Sequence, residues 1–245
     1  MKNGCLNLAI CISGGGTTMR EVLRATKDGR LPHVNPVLVI SSRPDAGGIK
    51  KAEAEDIRDL WITTVIRKGF SCSECFGEAI LDQCRVHNVD LIAQCGFLPL
   101  MPSNVIAEYR SMIFNQHPGP LDQAHLGFGG KGMYGQRVHH AVTHFAKRVG
   151  RPFRTEATVH RVTDEVDGGA LLGIRPVEIL PEDDAPTLAA RVLPHEHQLV
   201  IGTILQFSEF GGPREVHREQ RLIQAGEENL LNEAKQAGIA AFPNG

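Results

Sequence analysis

Apolar positions in the first half of the chain come in short, nearly unbroken runs. Residues 6–13, 37–41, 62–66, 91–95 and 112–115 are such runs. Between them lie amphipathic stretches: one ending near Lys27, then 48–55, 73–87 and a short one at 103–110. A strand buried on both faces lacks polar alternation, so apolar runs joined by helices indicate parallel strands covered on two sides. The predicted fold is α/β, a doubly wound, mostly parallel sheet.

Past His117 the pattern breaks. Residues 118–135 are rich in glycine and include Pro118 and Pro120, which predicts a long loop. A helix is expected over 134–146, then strands at 156–162 and 171–179 around an acidic, glycine-bearing loop at 163–169. Residues 186–207 read as one long helix with Leu188, Val192, Val200 and Ile204 on an i+4 row, kinked at Pro194. From Gly211 the chain turns polar and ends in an expected amphipathic helix, 219–237. The predicted organisation is one domain over 1–208, with halves 1–100 and 101–208, and a C-terminal helical extension over 209–245.

Composition narrows the partners. The 245 residues carry 26 Lys+Arg against 28 Asp+Glu, a balance that argues against a nucleic-acid partner. No stretch approaches the roughly 20 apolar residues that span a bilayer, which speaks against a membrane partner. The first residues lack the charged start, apolar region and cleavage site of a secretory signal, so a cytoplasmic protein is expected. Of the six cysteines, Cys72-x-x-Cys75 raises metal or redox chemistry. No second pair or His couple follows at zinc spacing, and all six are expected as reduced thiols.

Three segments carry candidate chemistry. The first, Ser13-Gly14-Gly15-Gly16-Thr17-Thr18, joins a strand to a helix. Glycines let backbone N–H groups approach an anion, and the helix N-terminus favours negative charge. The run lacks Gly-Lys-Ser/Thr and departs from Gly-x-Gly-x-x-Gly, so it suits a phosphate monoester better than a dinucleotide; a tight turn that binds nothing is the alternative. The second is Asn115-Gln116-His117-Pro118 at a strand end, where alternation sends Asn115 and His117 to one side. A structural histidine would read the same way. The third, Thr163-Asp164-Glu165-Val166-Asp167-Gly168-Gly169, matches no calcium-loop spacing, and no metal is expected.

Taken together in this order, these segments resemble the folate-dependent formyltransferases, most closely the branch that acts on glycinamide ribonucleotide in purine synthesis. The resemblance covers residues 6–208 and includes Ser42-Arg43-Pro44-Asp45-Ala46, Gly96-Phe97, residues 129–135, Val159-His160-Arg161 and Arg191-Val192-Leu193-Pro194-His195-Glu196-His197. It implies a Rossmann-like formyltransferase fold. It also implies formyl transfer from 10-formyltetrahydrofolate, a co-substrate, to a small phosphorylated amine through a tetrahedral oxyanion.

By the same resemblance Asn115, protonated His117 and Asp167 form the catalytic trio. Gly14, Gly15, Gly16, Thr17 and Thr18 hold the substrate phosphate, and Glu196 receives the amine end. Gly96, Phe97, Leu98, Met101, Thr163, Asp164 and Val166 line the folate site. The partners implied are small molecules, in a monomer or homodimer. An amino-sugar nucleotide as acceptor, hydrolysis of the formyl-folate, and a non-catalytic nucleotide-binding module are the competing readings. Four features depart from the family pattern: Pro118-Gly119-Pro120-Leu121-Asp122 after the histidine, Pro99 near the place of a basic residue in the Gly-Phe loop, a long segment 149–155, and a tail beyond Pro213 without counterpart.

Overall fold

The computed structural model describes residues 4–122 and 127–243. Its strands are β1 (Leu6–Ile12), β2 (Val34–Ser41), β3 (Trp61–Thr64), β4 (Leu91–Gln94), β5 (Ile113–His117), β6 (Thr155–Arg161) and β7 (Leu171–Val177). The helices are α1 (Thr17–Lys27), α2 (Gly47–Ala54), α3 (Ser73–Val86), α4 (Ser103–Glu108), α5 (Gln136–Ala146), α6 (Ala185–Phe210) and α7 (Glu228–Ala241).

The chain divides into two compact units. One comprises the described residues up to Gln116, with Arg161–Asp164 and Val200–Pro213; the other holds His117–His160, Glu165–Leu199 and the described residues from Arg214. In the first unit β1 pairs in parallel with both β2 and β4, β2 with β3, and β4 with β5. The order β3-β2-β1-β4-β5 reverses direction between β1 and β4, where the carboxyl ends of the strands open a crevice in doubly wound sheets. Leu8, Ala9, Ile10 and Cys11 of β1 are buried, as a two-sided parallel strand requires. In the second unit β6 and β7 are antiparallel. The mostly parallel α/β fold with a helical C-terminal extension is therefore present.

Several boundaries differ from the expectation. The units meet in sequence at Gln116 and His117, and the described residues after Pro213 are part of the second unit. β5 continues past Asn115 to His117, and Pro194 lies inside α6, within one long helix as expected. The final helix starts at Glu228, not near 219. Asp184 precedes α6 and exchanges hydrogen bonds with Thr187, backbone N–H to side-chain oxygen in each direction at 2.9 Å, which satisfies a helix-end donor.

The expectation of six reduced thiols is corrected: Cys72 and Cys75 form a disulfide. Cys72 is the N-cap of α3 and Cys75 stands one turn along, at a Cα separation of 5.2 Å, inside the bridging range. Cys11, Cys84 and Cys95 are buried outside any disulfide.

The extension is fastened by charge. Arg218 forms a bidentate pair with Glu156 of β6, both side chains largely buried, and donates to the Leu121 carbonyl at 2.8 Å. The Leu222 N–H donates to Asp122 Oδ2 at 3.0 Å, and Arg151 clasps Glu227. Removing one partner of a buried pair strands the other charge. Arg218→Ala is therefore expected to lower unfolding free energy by about 3–5 kcal/mol, and Arg218→Met combined with Glu156→Leu to lower it far less, as read by urea denaturation.

Candidate active site

In the first unit, four residues turn the chain from β1 into α1. Gly16 caps α1 in the left-handed conformation, φ 61°, with no side-chain cap. A Cβ there would lie 2.6 Å from the Gly48 Cα, so only glycine fits. Gly14 and Gly15 differ. A Cβ at Gly14 would meet nothing within 4 Å, and one at Gly15 would meet the Lys51 Nζ at 3.8 Å. That ammonium donates to the Gly15 carbonyl at 2.7 Å.

Open space above a glycine turn, a helix N-terminus and a lysine make a setting for an anion. Thr17 opens α1, and Thr18 is buried. Lys51 is absent from the sequence-predicted set. Its signal, two glycines opening a helix with lysines in its second turn, carries no recognisable motif.

The same switch point holds the segment after β4. The Leu98 N–H donates to Ser13 Oγ at 2.8 Å, and Ser13 Oγ lies 2.6 Å from Ser42 Oγ. Gly96 has φ 80°, which lets the chain turn out of β4. Phe97 and Met101 are buried while Leu98 and Leu100 are exposed, 49% and 65%. Ser103 Oγ donates to Asp164 Oδ1 at 2.5 Å, which ties Thr163 and Asp164 to this end of the unit. Val166 falls in the other unit.

The second unit contains the strongest electrostatic feature. Asp167, at φ 58°, is buried with its Oδ2 3.7 Å from His117 Nδ1 and its Oδ1 3.3 Å from His160 Nε2. The Gly130 N–H donates to Oδ2 at 2.9 Å. Burial alone would raise this carboxyl, but His117, His160 and the Gly130 N–H outweigh it and hold the pKa at about 2.

His117 goes the other way. Burial pushes its pKa below the usual value despite Asp167 and a bond to the Phe128 backbone, and His160 adds to the depression. The resting imidazole is therefore disposed to be neutral at neutral pH. Among the described residues its Nε2 is buried without a hydrogen-bond partner. Nδ1 faces the carboxylate, so the free lone pair belongs on Nε2.

Glycines make room for this pair. A Cβ at Gly129 would come 2.8 Å from the Asp167 Cβ, and one at Gly119 would come 2.4 Å from Val138 Cγ1. Asn115 precedes His117 by two residues on β5, at the end of the first unit. Glu196 is 5% exposed on α6, on the row of fully buried Leu188, Val192, Val200 and Ile204, so it is not an ordinary surface glutamate. His160, buried against Asp167, lies in a sequence segment already noted, but nothing in that segment assigns it to the carboxylate.

Among the described residues no group of His, Cys, Asp and Glu is placed to hold a metal ion, and no helix is long and apolar enough to cross a membrane. Residues 6–204 match the family model described as formyl transferase. A chloroplastic phosphoribosylglycinamide formyltransferase from Vigna unguiculata is 34% identical over 197 residues, 80% of this chain and 59% of that protein. The chain thus spans about three fifths of that relative. The phosphoribosylglycinamide formyltransferase of Haemophilus influenzae is 29% identical over 202 residues, 82% of this chain and 87% of the relative. The crystal structure of phosphoribosylglycinamide formyltransferase from Brucella melitensis superposes with TM-score 0.70 at 32% identity, covering 84% of this chain and 96% of that one.

The buried histidines make stability depend on pH. His139 on α5 is 4% exposed, and burial, aided by His117, lowers its pKa to about 4. The unfolded chain takes up that proton near pH 6.5 and the folded chain does not, so stability is complete above 6.5 and falls toward pH 4. His139 alone accounts for about 3 kcal/mol across that window. His139→Gln is expected to flatten the slope of unfolding free energy against pH.

Proposed function

Given that the chain belongs to the formyl transferase family, we propose that it transfers the formyl group of 10-formyltetrahydrofolate to the amine of glycinamide ribonucleotide, a step of purine biosynthesis. The observation that carries this reading is the buried His117–Asp167 pair, with Nε2 of His117 lacking a hydrogen-bond partner among the described residues.

The folate supplies an electrophilic formyl carbon. The residues after β4 fit a flat, partly apolar group: Leu98 and Leu100 expose apolar surface beside buried Phe97 and Met101, and Gly96 leaves backbone accessible. With Thr163, Asp164 and Val166 they form the proposed folate site. Gly14, Gly15, Gly16, Thr17, Thr18 and Lys51 form the proposed phosphate site, and Glu196 the partner of the amine end.

His117 Nε2 takes the proton released as the acceptor amine adds to the formyl carbon. Asp167, anionic to about pH 2, steadies the imidazolium so formed. The Asn115 amide and the new Nε2–H donate to the oxygen that gains negative charge, each worth about 3 kcal/mol. The same imidazolium then passes its proton to the departing nitrogen, so one residue serves as base and acid.

Asn115→Ala, His117→Ala and Asp167→Asn are each expected to lower kcat about 100-fold or more, with thermal unfolding close to wild type. The assay compares glycinamide ribonucleotide, amino-sugar nucleotides and no acceptor. Preference for either of the last two, or near-normal turnover by folded Asp167→Asn, contradicts the proposal. A neutral catalytic imidazole also requires kcat/KM to fall as pH drops through the depressed His117 pKa, below about 6.5.

A further inference from the structure

The C-terminal helix lies beyond residues 6–204, the span that matches the family. It packs along α5 at very short range: a Cβ at Gly238 would come 2.4 Å from the Arg137 carbonyl. The Arg137 guanidinium ties the end of α7 down, donating to the Phe242 carbonyl at 2.7 Å and the Pro243 carbonyl at 2.5 Å. It also donates to the Gly132 carbonyl at 3.0 Å, in the loop whose Gly130 N–H holds Asp167. Ile239 Cδ1 reaches that loop too, 3.7 Å from the Cβ position of Gly132.

Leu231, Lys235, Gly238 and Ile239 stand at i, i+4, i+7 and i+8, on a single face of α7. Leu231 belongs to the core that α7 shares with α5. Lys235 is half-buried on this face, one turn before the residue that touches the Asp167 loop.

We infer that Lys235 is a positioning residue of the His117–Asp167 pair, carried on the α7 face that meets the loop bonded to Asp167. The inference rests on the reading of that pair as catalytic. Electrostatics agree with the geometry. Burial lowers the pKa of Lys235 while Asp167 pulls it up, and Lys235 in turn disfavours a proton on His117. The other groups that bear on His117 are His160 on β6 and His139 on α5, the latter itself depressed by His117. Arg137 of α5 is engaged with the α7 carbonyls, and Glu233 of α7 pairs outward with Arg148. A cation from the extension thereby adds to the burial that already disfavours a proton on His117.

The test follows the His117 imidazole by NMR titration in wild type, Lys235→Met and Lys235→Arg, alongside pH profiles of kcat/KM. Lys235→Met is expected to titrate His117 at higher pH, move the acid limb of the profile upward and cost roughly tenfold at pH 6. Lys235→Arg is expected to restore both. Lys235→Gln, smaller and polar, gives the same reading should Met perturb packing. A His117 titration unchanged in Lys235→Met or Lys235→Gln overturns the inference. A shifted titration in a protein that transfers no formyl group keeps the inference and rejects the proposed function.

Discussion

A carboxylate removed from water keeps its charge only when fixed donors and cations replace the lost hydration. Asp167 is such a group, and much of the second unit is arranged around it. The Gly130 N–H and His160 bond its oxygens, and His117 stands at 3.7 Å. Gly129 leaves no side chain where the carboxylate must lie. Its own backbone adopts φ 58°, a conformation that costs little for Asp and is uncommon otherwise. The consequence for His117 is asymmetric. Burial wins over the attraction of Asp167, so the imidazole rests neutral, yet any proton it gains meets a carboxylate already in place. That combination suits a base that must become an acid within one turnover.

Three of the departures from the family pattern prove to be one feature. Leu121 and Asp122, in the unusual stretch after His117, receive Arg218 and the Leu222 N–H from the extension. Arg151, in the long segment before β6, clasps Glu227 and the Leu222 carbonyl. Phe153 of the same segment packs on Phe128 and Phe145 in the core that α7 completes. Each change taken alone is an unexplained deviation. Each also supplies a bond that the extension requires.

Legibility in the sequence followed the range of the interactions involved. The parallel strands were readable because burial on both faces leaves continuous apolar runs, as in Leu6–Ile12. The buried edge of α6 was readable from its i+4 row, and Glu196 fell where that row put it. The glycine turn was readable because Gly16 answers a local demand for positive φ. What escaped were partners far apart in the chain with no period to mark them: Lys51 on Gly15, His160 on Asp167, Arg218 on Glu156. The disulfide escaped because two cysteines three residues apart read alike whether bonded or not.

An extension fastened this firmly restricts what it can be for. A segment that merely covered apolar surface would need Leu231, Ala234 and Ile223 against the core, and these it has. It would not need Arg137 fixing its final carbonyls, nor two largely buried ion pairs, since such pairs are weak sources of net stability compared with apolar packing. Their value lies in geometry: a buried charge pair tolerates one register and penalises the rest. Register matters only if some residue of α7 must be held at a defined place. Along α7 the face that meets α5 and the Asp167 loop carries one charged side chain at its centre, Lys235, and its influence weakens with distance if the helix shifts. The fastening of the extension and the protonation state of His117 are therefore linked through a single ammonium.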